Sequence, residues 1–209
     1  LPKYQVGCGI VDIMMHTLDR YFTPTKGNEL TDNFAEALLR TVIKNGRIAM
    51  KDSHNYDAMS EIMWCGSISH NGLTGLGAVV DFAPHKLGHE LSGKFDVAHG
   101  ASLSTMWGAW ATYCCDANPE RFARYGREVW GIQGEDTNAV AKAAIEATVN
   151  YFKEIEMPTC FTELGIGIQD EAMLQELADR ATRGDTFIVG SFKPLNREHA
   201  YQVYKLANR

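Results

Sequence analysis

The chain has 209 residues, with 20 Lys and Arg against 26 Asp and Glu, a formal net charge of −6 and a pI near 5.6. That balance argues against a nucleic-acid binder, which carries a basic face and a high pI. Hydrophobic residues at 45% and charged residues at 22% exclude a disordered chain.

No apolar run approaches the roughly 20 residues of a membrane span, and no membrane partner is expected. The chain opens on Leu1-Pro2 without a basic and then apolar leader, so no signal peptide is expected. The five cysteines include the adjacent Cys114 and Cys115 and form no CxxC spacing. Neither a disulfide framework nor a cysteine-rich zinc site is expected, and free thiols fit a reducing, cytoplasmic compartment.

The pattern is helical almost throughout. Val6, Ile10, Ile13, Met14, Leu18 and Tyr21 recur at helical spacing over Gln5–Phe22, and Thr23-Pro24 closes that helix. Thr31 or Asp32 can cap a second helix through Phe34, Leu38, Val42 and Ile43, which Asn45-Gly46 ends or interrupts. A third spans Asp57–Ser69, followed by a tight passage through Gly72, Gly75 and Gly77. Pro84 opens a short helix over His85–Leu91, and a loop through Gly93 and Asp96 leads to a long helix over Gly100–Cys115. Asn118-Pro119 caps a helix to Trp130, and Asp136 or Thr137 caps another that stops before Pro158. Asp170–Ala181 and a last helix capped by Asn196 complete the set. Thr186–Phe192 is the one extended stretch, and with no second strand to pair with it is read as a connector. The expectation is one all-α domain of eight to ten helices.

Three histidine spacings carry chemistry. Asp12 and His16 lie four residues apart, which puts both side chains on one helix face one turn apart. A carboxylate on an otherwise apolar face is costly to bury without a cation or polar partner. His85 and His89 repeat the spacing, and His99 follows beside Gly100 at a helix start. One carboxylate and up to three imidazoles suit a borderline divalent ion such as Zn²⁺ or Fe²⁺ rather than Ca²⁺ or Mg²⁺. Each spacing alone also fits a helix-face hydrogen bond or a histidine satisfied in the core. His54 is assigned to a surface turn, His70 to a structural role at a helix end, and His199 to a solvated face. No HExxH occurs, so a zinc protease of that type is not supported.

The segment Gly75–Gly100, GLGAVVDFAPHKLGHELSGKFDVAHG, resembles the C-terminal half of the iron-containing, group III alcohol dehydrogenases. So do the opening YQVGCGIVDIMMHTLDRYF and the closing GSFKPLNREHAYQVYKLA, and the order of the pieces covers essentially the whole chain. The runs MWCGSISHNGLTGLG and ERFARYGREVWGI are similar to the butanol dehydrogenase and broad-specificity aldehyde reductase branch. The resemblance implies an all-α, multi-helix, dehydroquinate synthase-like C-terminal domain over residues 1–209. It also implies a divalent metal, Fe²⁺ or Zn²⁺, held by Asp12, His16, His85 and His99. His89 would border the nicotinamide and substrate, as a catalytic and cofactor-binding residue.

The reaction implied is hydride transfer between NAD(P)H and a small aldehyde or primary alcohol, by an enzyme that is a homodimer at full length. The family's GGGS phosphate loop has no counterpart here. An N-terminal nucleotide-binding domain is therefore expected to be absent from these residues, to hold most of the NAD(P)H, and to leave the isolated chain inactive. Trp64, Asn71, Phe82 and Trp107 are candidates for the pocket wall. A helical metal-dependent hydrolase and a non-catalytic helical scaffold are the competing readings. The hydrolase lacks a base beside the histidines other than Glu90, which should point away from His89.

Overall fold

A computed structural model describes all 209 residues. It contains ten α-helices and two short 3₁₀ turns, without a named strand. No helix is long and apolar enough to cross a membrane.

Helix α1 (Lys3–Tyr21) buries Val6, Ile10, Ile13, Met14, Leu18 and Tyr21 at the expected spacing. Its last turn leaves carbonyls without helical partners, and Arg121 meets one of them: its Nε donates to the Tyr21 carbonyl at 2.8 Å. Helix α2 (Glu29–Lys51) starts earlier than expected, after Asn28. Asp32 is not a cap; its carboxylate takes a bidentate ion pair from Arg121. Nor does Asn45-Gly46 interrupt α2. A Cβ at Gly46 would stand 2.3 Å from the Tyr151 hydroxyl and 3.3 Å from Ile10. The glycine therefore serves close helix packing, which offsets its cost of about 1 kcal/mol in a helix interior.

Helix α3 (Tyr56–His70) is capped by Asn55, whose side chain accepts from the Ala58 amide. A 3₁₀ turn over Leu73–Gly75 follows. Helix α4 (Ala83–Phe95) has Pro84 in its first turn and runs through Gly93. The reversal lies at Asp96, in the left-handed region at φ 54°, so only residues 96–98 separate α4 from α5 (His99–Cys114). Helix α5 is apolar nearly all round and buried from Gly100 to Trp107, as an interior helix must be. It packs on α1, α4, α7 and α10.

Helices α6 (Pro119–Trp130), α7 (Thr137–Glu154), α9 (Glu171–Ala181) and α10 (Arg197–Ala207) begin at side-chain caps Asn118, Asp136, Asp170 and Asn196. Between α7 and α9 lies the single turn α8 (Phe161–Leu164), too short to leave a periodic signal. The extended stretch does find a partner: Val189 pairs antiparallel with Leu195 in an isolated bridge, each amide donating to the other's carbonyl at 2.9 Å. The core is rich in aromatics, with Tyr21, Phe22, Trp107, Trp110, Phe122, Tyr125, Tyr151, Phe152, Phe161 and Tyr204 all essentially inaccessible. Such rings bury the most apolar surface per residue, and here they fix how α1, α5, α6 and α7 meet.

Candidate metal centre

Helices α1, α4 and α5 converge where α1 carries Asp12 and His16, α4 carries His85, and α5 opens with His99. The Nε2 atoms of His16 and His85 each lie 3.7 Å from Oδ1 of Asp12, and Nε2 of His99 lies 3.2 Å from the same oxygen. Donor atoms of Asp12, His16 and His85 fall within 4.8 Å of one another; His99 closes the set from the open side. The His85 side chain is 4% exposed and that of His99 40%, so the cluster has a buried floor and an accessible mouth.

Asp12 Oδ1 and His85 Nε2 are both buried and lack a hydrogen-bond partner. Leaving such atoms unmatched is costly. The His85 ring shows which nitrogen is free: Nδ1 donates to Oδ2 of the buried Asp19 at 2.6 Å. In the neutral imidazole this leaves the Nε2 lone pair aimed at a carboxylate oxygen. Once the Nε2 proton is given up, two lone pairs face one another across a gap that a divalent cation fills, and the nitrogen–oxygen donor set suits Zn²⁺ or Fe²⁺. The residues present therefore fit a metal.

The electrostatics follow from this packing. Burial alone would raise the Asp12 carboxyl, but the facing imidazoles of His85 and His99 outweigh it and hold the group well below the usual carboxylate range. Burial, reinforced by the charge of His85, pushes His16 down to about 4. Burial also opposes charge on His85, yet the carboxylates of Asp12 and Asp19 prevail and pull it up to about 9.

The surroundings hold these rings in place. Phe82 adopts the left-handed conformation at φ 57° just before α4, a strained position for a bulky residue. Its ring lies 5.0 Å from that of His85 and 5.7 Å from that of His16, and the Arg20 guanidinium sits 5.0 Å above it. Arg20 also donates to the Ser69 carbonyl at 2.8 Å, tying α1 to the end of α3. Asp81 supports the floor: its carboxylate accepts from the amides of Ala83, Ser191 and Phe192, and its own amide donates to the Asp19 carbonyl.

His89 lies one turn after His85, exposed, with its ring 5.1 Å from that of His99. It borders the mouth without joining the cluster. Of the wall candidates only Phe82 touches the site. Trp107 is a core residue against Tyr125 and Phe152, because α5 is buried at every position from Gly100 to Trp107. Asn71 shapes the turn after α3 by accepting from the Leu73 amide, and Trp64 is largely exposed. Glu90 pairs with Arg180 at 2.8 Å, which occupies the one carboxylate a hydrolase could have used as a base. His54 is in an exposed turn as expected. His199 is half-buried rather than solvated, with Nδ1 unpartnered and its ring near Tyr113.

Two residues of the site were not assigned to it from sequence. Asp19 follows Asp12 by seven residues and His16 by three, so the helical period already puts it on the same face. His70, expected to be structural, reaches Oδ2 of Asp12 with its Nε2 at 3.2 Å. No local pattern links residues 58 positions apart.

The chain is similar to known proteins along almost its whole length. Residues 8–208 match the model of the Fe-containing alcohol dehydrogenase family, C-terminal. NADH-dependent butanol dehydrogenase A of Clostridium acetobutylicum is 37% identical over 207 residues, covering 98% of this chain and 52% of that protein. NADPH-dependent aldehyde reductase YqhD of Escherichia coli is 35% identical over 181 residues, covering 86% of this chain and 46% of that protein. The solved substrate- and cofactor-free form of YqhD superposes with a TM-score of 0.92 at 30% identity, over 99% of this chain and 54% of that one. Butanol dehydrogenase A of Thermotoga maritima gives 0.92 at 28%, over 100% and 53%. The chain thus spans about half the length of the curated relatives it matches. With almost every residue inside the family match and the fold shared throughout, this chain belongs to the Fe-containing alcohol dehydrogenase family and corresponds to its C-terminal domain.

Proposed function

We propose that this chain supplies the metal-holding half of the active site of an NAD(P)-dependent alcohol dehydrogenase that interconverts small aldehydes and primary alcohols. The observation that carries the reading is the pair of buried atoms without a hydrogen-bond partner, Asp12 Oδ1 and His85 Nε2, facing each other among further imidazoles. Asp12, His16, His85 and His99 would hold one divalent ion, Fe²⁺ or Zn²⁺. When bound, the ion supplies Lewis acidity toward a carbonyl or alkoxide oxygen, and the nicotinamide supplies the hydride.

The chain's own residues do the rest. Asp19 fixes the His85 tautomer so that Nε2 faces the donor set. Phe82 and the buried α4 floor exclude water from one side, leaving the mouth beside His99 for substrate. His89, at that mouth, would orient the nicotinamide ring or pass a proton between the substrate oxygen and solvent. The nucleotide would be held mainly by a separate N-terminal domain, since these helices offer no glycine-rich strand–turn–helix for a pyrophosphate. The full-length enzyme is read as a homodimer, as in the resemblance.

Elemental analysis of the purified chain, followed by aldehyde reduction assays with NADH and NADPH, tests this. The expected result is bound divalent metal without turnover. Metal-free protein sinks the metal reading, and robust metal-dependent turnover by the 209 residues alone sinks the division of labour.

A further inference from the structure

His70 lies at the end of α3, outside the four donors assigned above. Its Nε2 is 3.2 Å from Oδ2 of Asp12, whereas His16, His85 and His99 all face the other oxygen, Oδ1. The carboxylate is thus divided: Oδ1 is buried and unpartnered, and Oδ2 has one partner. A carboxylate only accepts hydrogen bonds, so the contact needs the proton on Nε2 of His70, with Nδ1 then accepting from the Ser69 hydroxyl.

The ring is pinned rather than roaming, although its side chain is 43% exposed. Nδ1 lies 2.8 Å from the Ser69 hydroxyl and 2.9 Å from the Gly66 carbonyl. The ring face stacks against His16 with centroids 3.9 Å apart. Arg20 bonds the Ser69 carbonyl, so the end of α3 that carries His70 is itself tied to α1.

We propose that His70 is the positioning residue of the metal centre's carboxylate: by holding Oδ2 of Asp12 it presents Oδ1 alone to the ion. This rests on the metal reading given above. Asp12 has two chemically equivalent oxygens, so without a partner on Oδ2 it could offer either oxygen, or both. His70 removes that freedom from outside the ligand set, as Asp19 removes the tautomeric freedom of His85. Partners of this kind are worth roughly 10- to 100-fold in metal affinity.

The test uses Co²⁺ as the probe, with the wild-type chain, H70L, H70Q and H85A. Leu fills similar space without an N–H; Gln carries an amide N–H toward the place of Nε2. Affinity is read by chelator competition, coordination by the visible spectrum at saturating Co²⁺, and folding by circular dichroism. The expected result is a roughly 10- to 100-fold loss in H70L, recovery of most of it in H70Q, and unchanged band positions and intensities in both. Equal affinity in H70L and wild type overturns the proposal. So does a saturated H70L spectrum that shifts toward lower coordination number, because His70 would then be a ligand. If the wild type binds no Co²⁺, the metal reading falls and this proposal with it; if it binds and H85A does not while H70L does fully, only this proposal falls.

Discussion

The carboxylate of Asp19 accepts a 2.6 Å hydrogen bond from Nδ1 of His85, with both side chains almost wholly inaccessible. One contact thereby sets which nitrogen of a buried imidazole is free, and makes that nitrogen a better donor. Asp19→Asn keeps the shape but replaces the carboxylate by a weaker acceptor. It should weaken divalent-metal binding by roughly 10- to 100-fold while His16, His85 and His99 stay intact. Chelator competition on the refolded variant gives the number; affinity equal to wild type would show that the contact only packs the floor.

The two ends of the donor set should respond differently. His85 is the buried centre of the cluster and His99 its exposed edge. His85→Ala removes the donor opposite Asp12 Oδ1 and leaves Asp19 buried without its partner, so it should abolish stoichiometric metal and lower thermal stability. His99→Ala should reduce bound metal with little effect on melting. Elemental analysis after gel filtration decides, and unchanged stoichiometry in both variants would exclude them as ligands.

How much of this was legible depended on distance along the chain. Asp12 and His16 could be read because one helix face fixes their relation. The caps Asn118, Asp136 and Asn196 could be read because capping is local. Asp19 was readable in principle from the same face, but its role appears only when α4 brings His85 across from 66 positions away. Gly46 pointed to a helix break on local grounds, and tertiary packing against Tyr151 and Ile10 reversed that. Trp107 had no readable direction, since a helix apolar on all sides has no face to single out. The loop that delivers His99 was read through Gly93 and Asp96; α4 continues through Gly93, and the reversal falls on Asp96 in the left-handed region, which non-glycine residues adopt less often.

Protons and metal compete for this site. Metal ligation needs neutral imidazoles. The metal-free chain already holds His16 neutral, its burial pushing it to about 4, but keeps a proton on His85, held at about 9 by Asp12 and Asp19. Metal uptake at pH 7.5 should therefore release about one proton, and affinity should rise about tenfold per pH unit up to about 9. The sign for the metal-free fold is opposite. A histidine raised from 6.5 to about 9 gives stability that is complete below about 6.5 and lost as pH climbs through 9. Calorimetry in buffers of different ionisation enthalpy counts the proton, and zero release at pH 7.5 would contradict the arrangement.

Gly100 links the packing of the fold to the metal site. It follows His99 directly, and a Cβ there would stand 2.3 Å from the carbonyl oxygen of Cys8, 2.6 Å from its Cα and 2.7 Å from its carbonyl carbon. All three are backbone atoms of α1, so no side chain can turn aside. Gly100→Ala must push the start of α5 away from α1, and with it His99 from Asp12. Overpacking of this kind costs about 1–3 kcal/mol, or a fall in Tm of roughly 2–12 °C for a domain of this size. Metal affinity should drop although no donor has been changed. Gly9→Ala is the control, since nothing lies within 4 Å of a Cβ at that position in α1, and it should leave the Tm unchanged or raise it. Differential scanning calorimetry and Co²⁺ titration on the pair separate the outcomes. A Gly100→Ala protein with wild-type Tm and wild-type metal affinity would mean that α1 and α5 need not meet this closely to assemble the site.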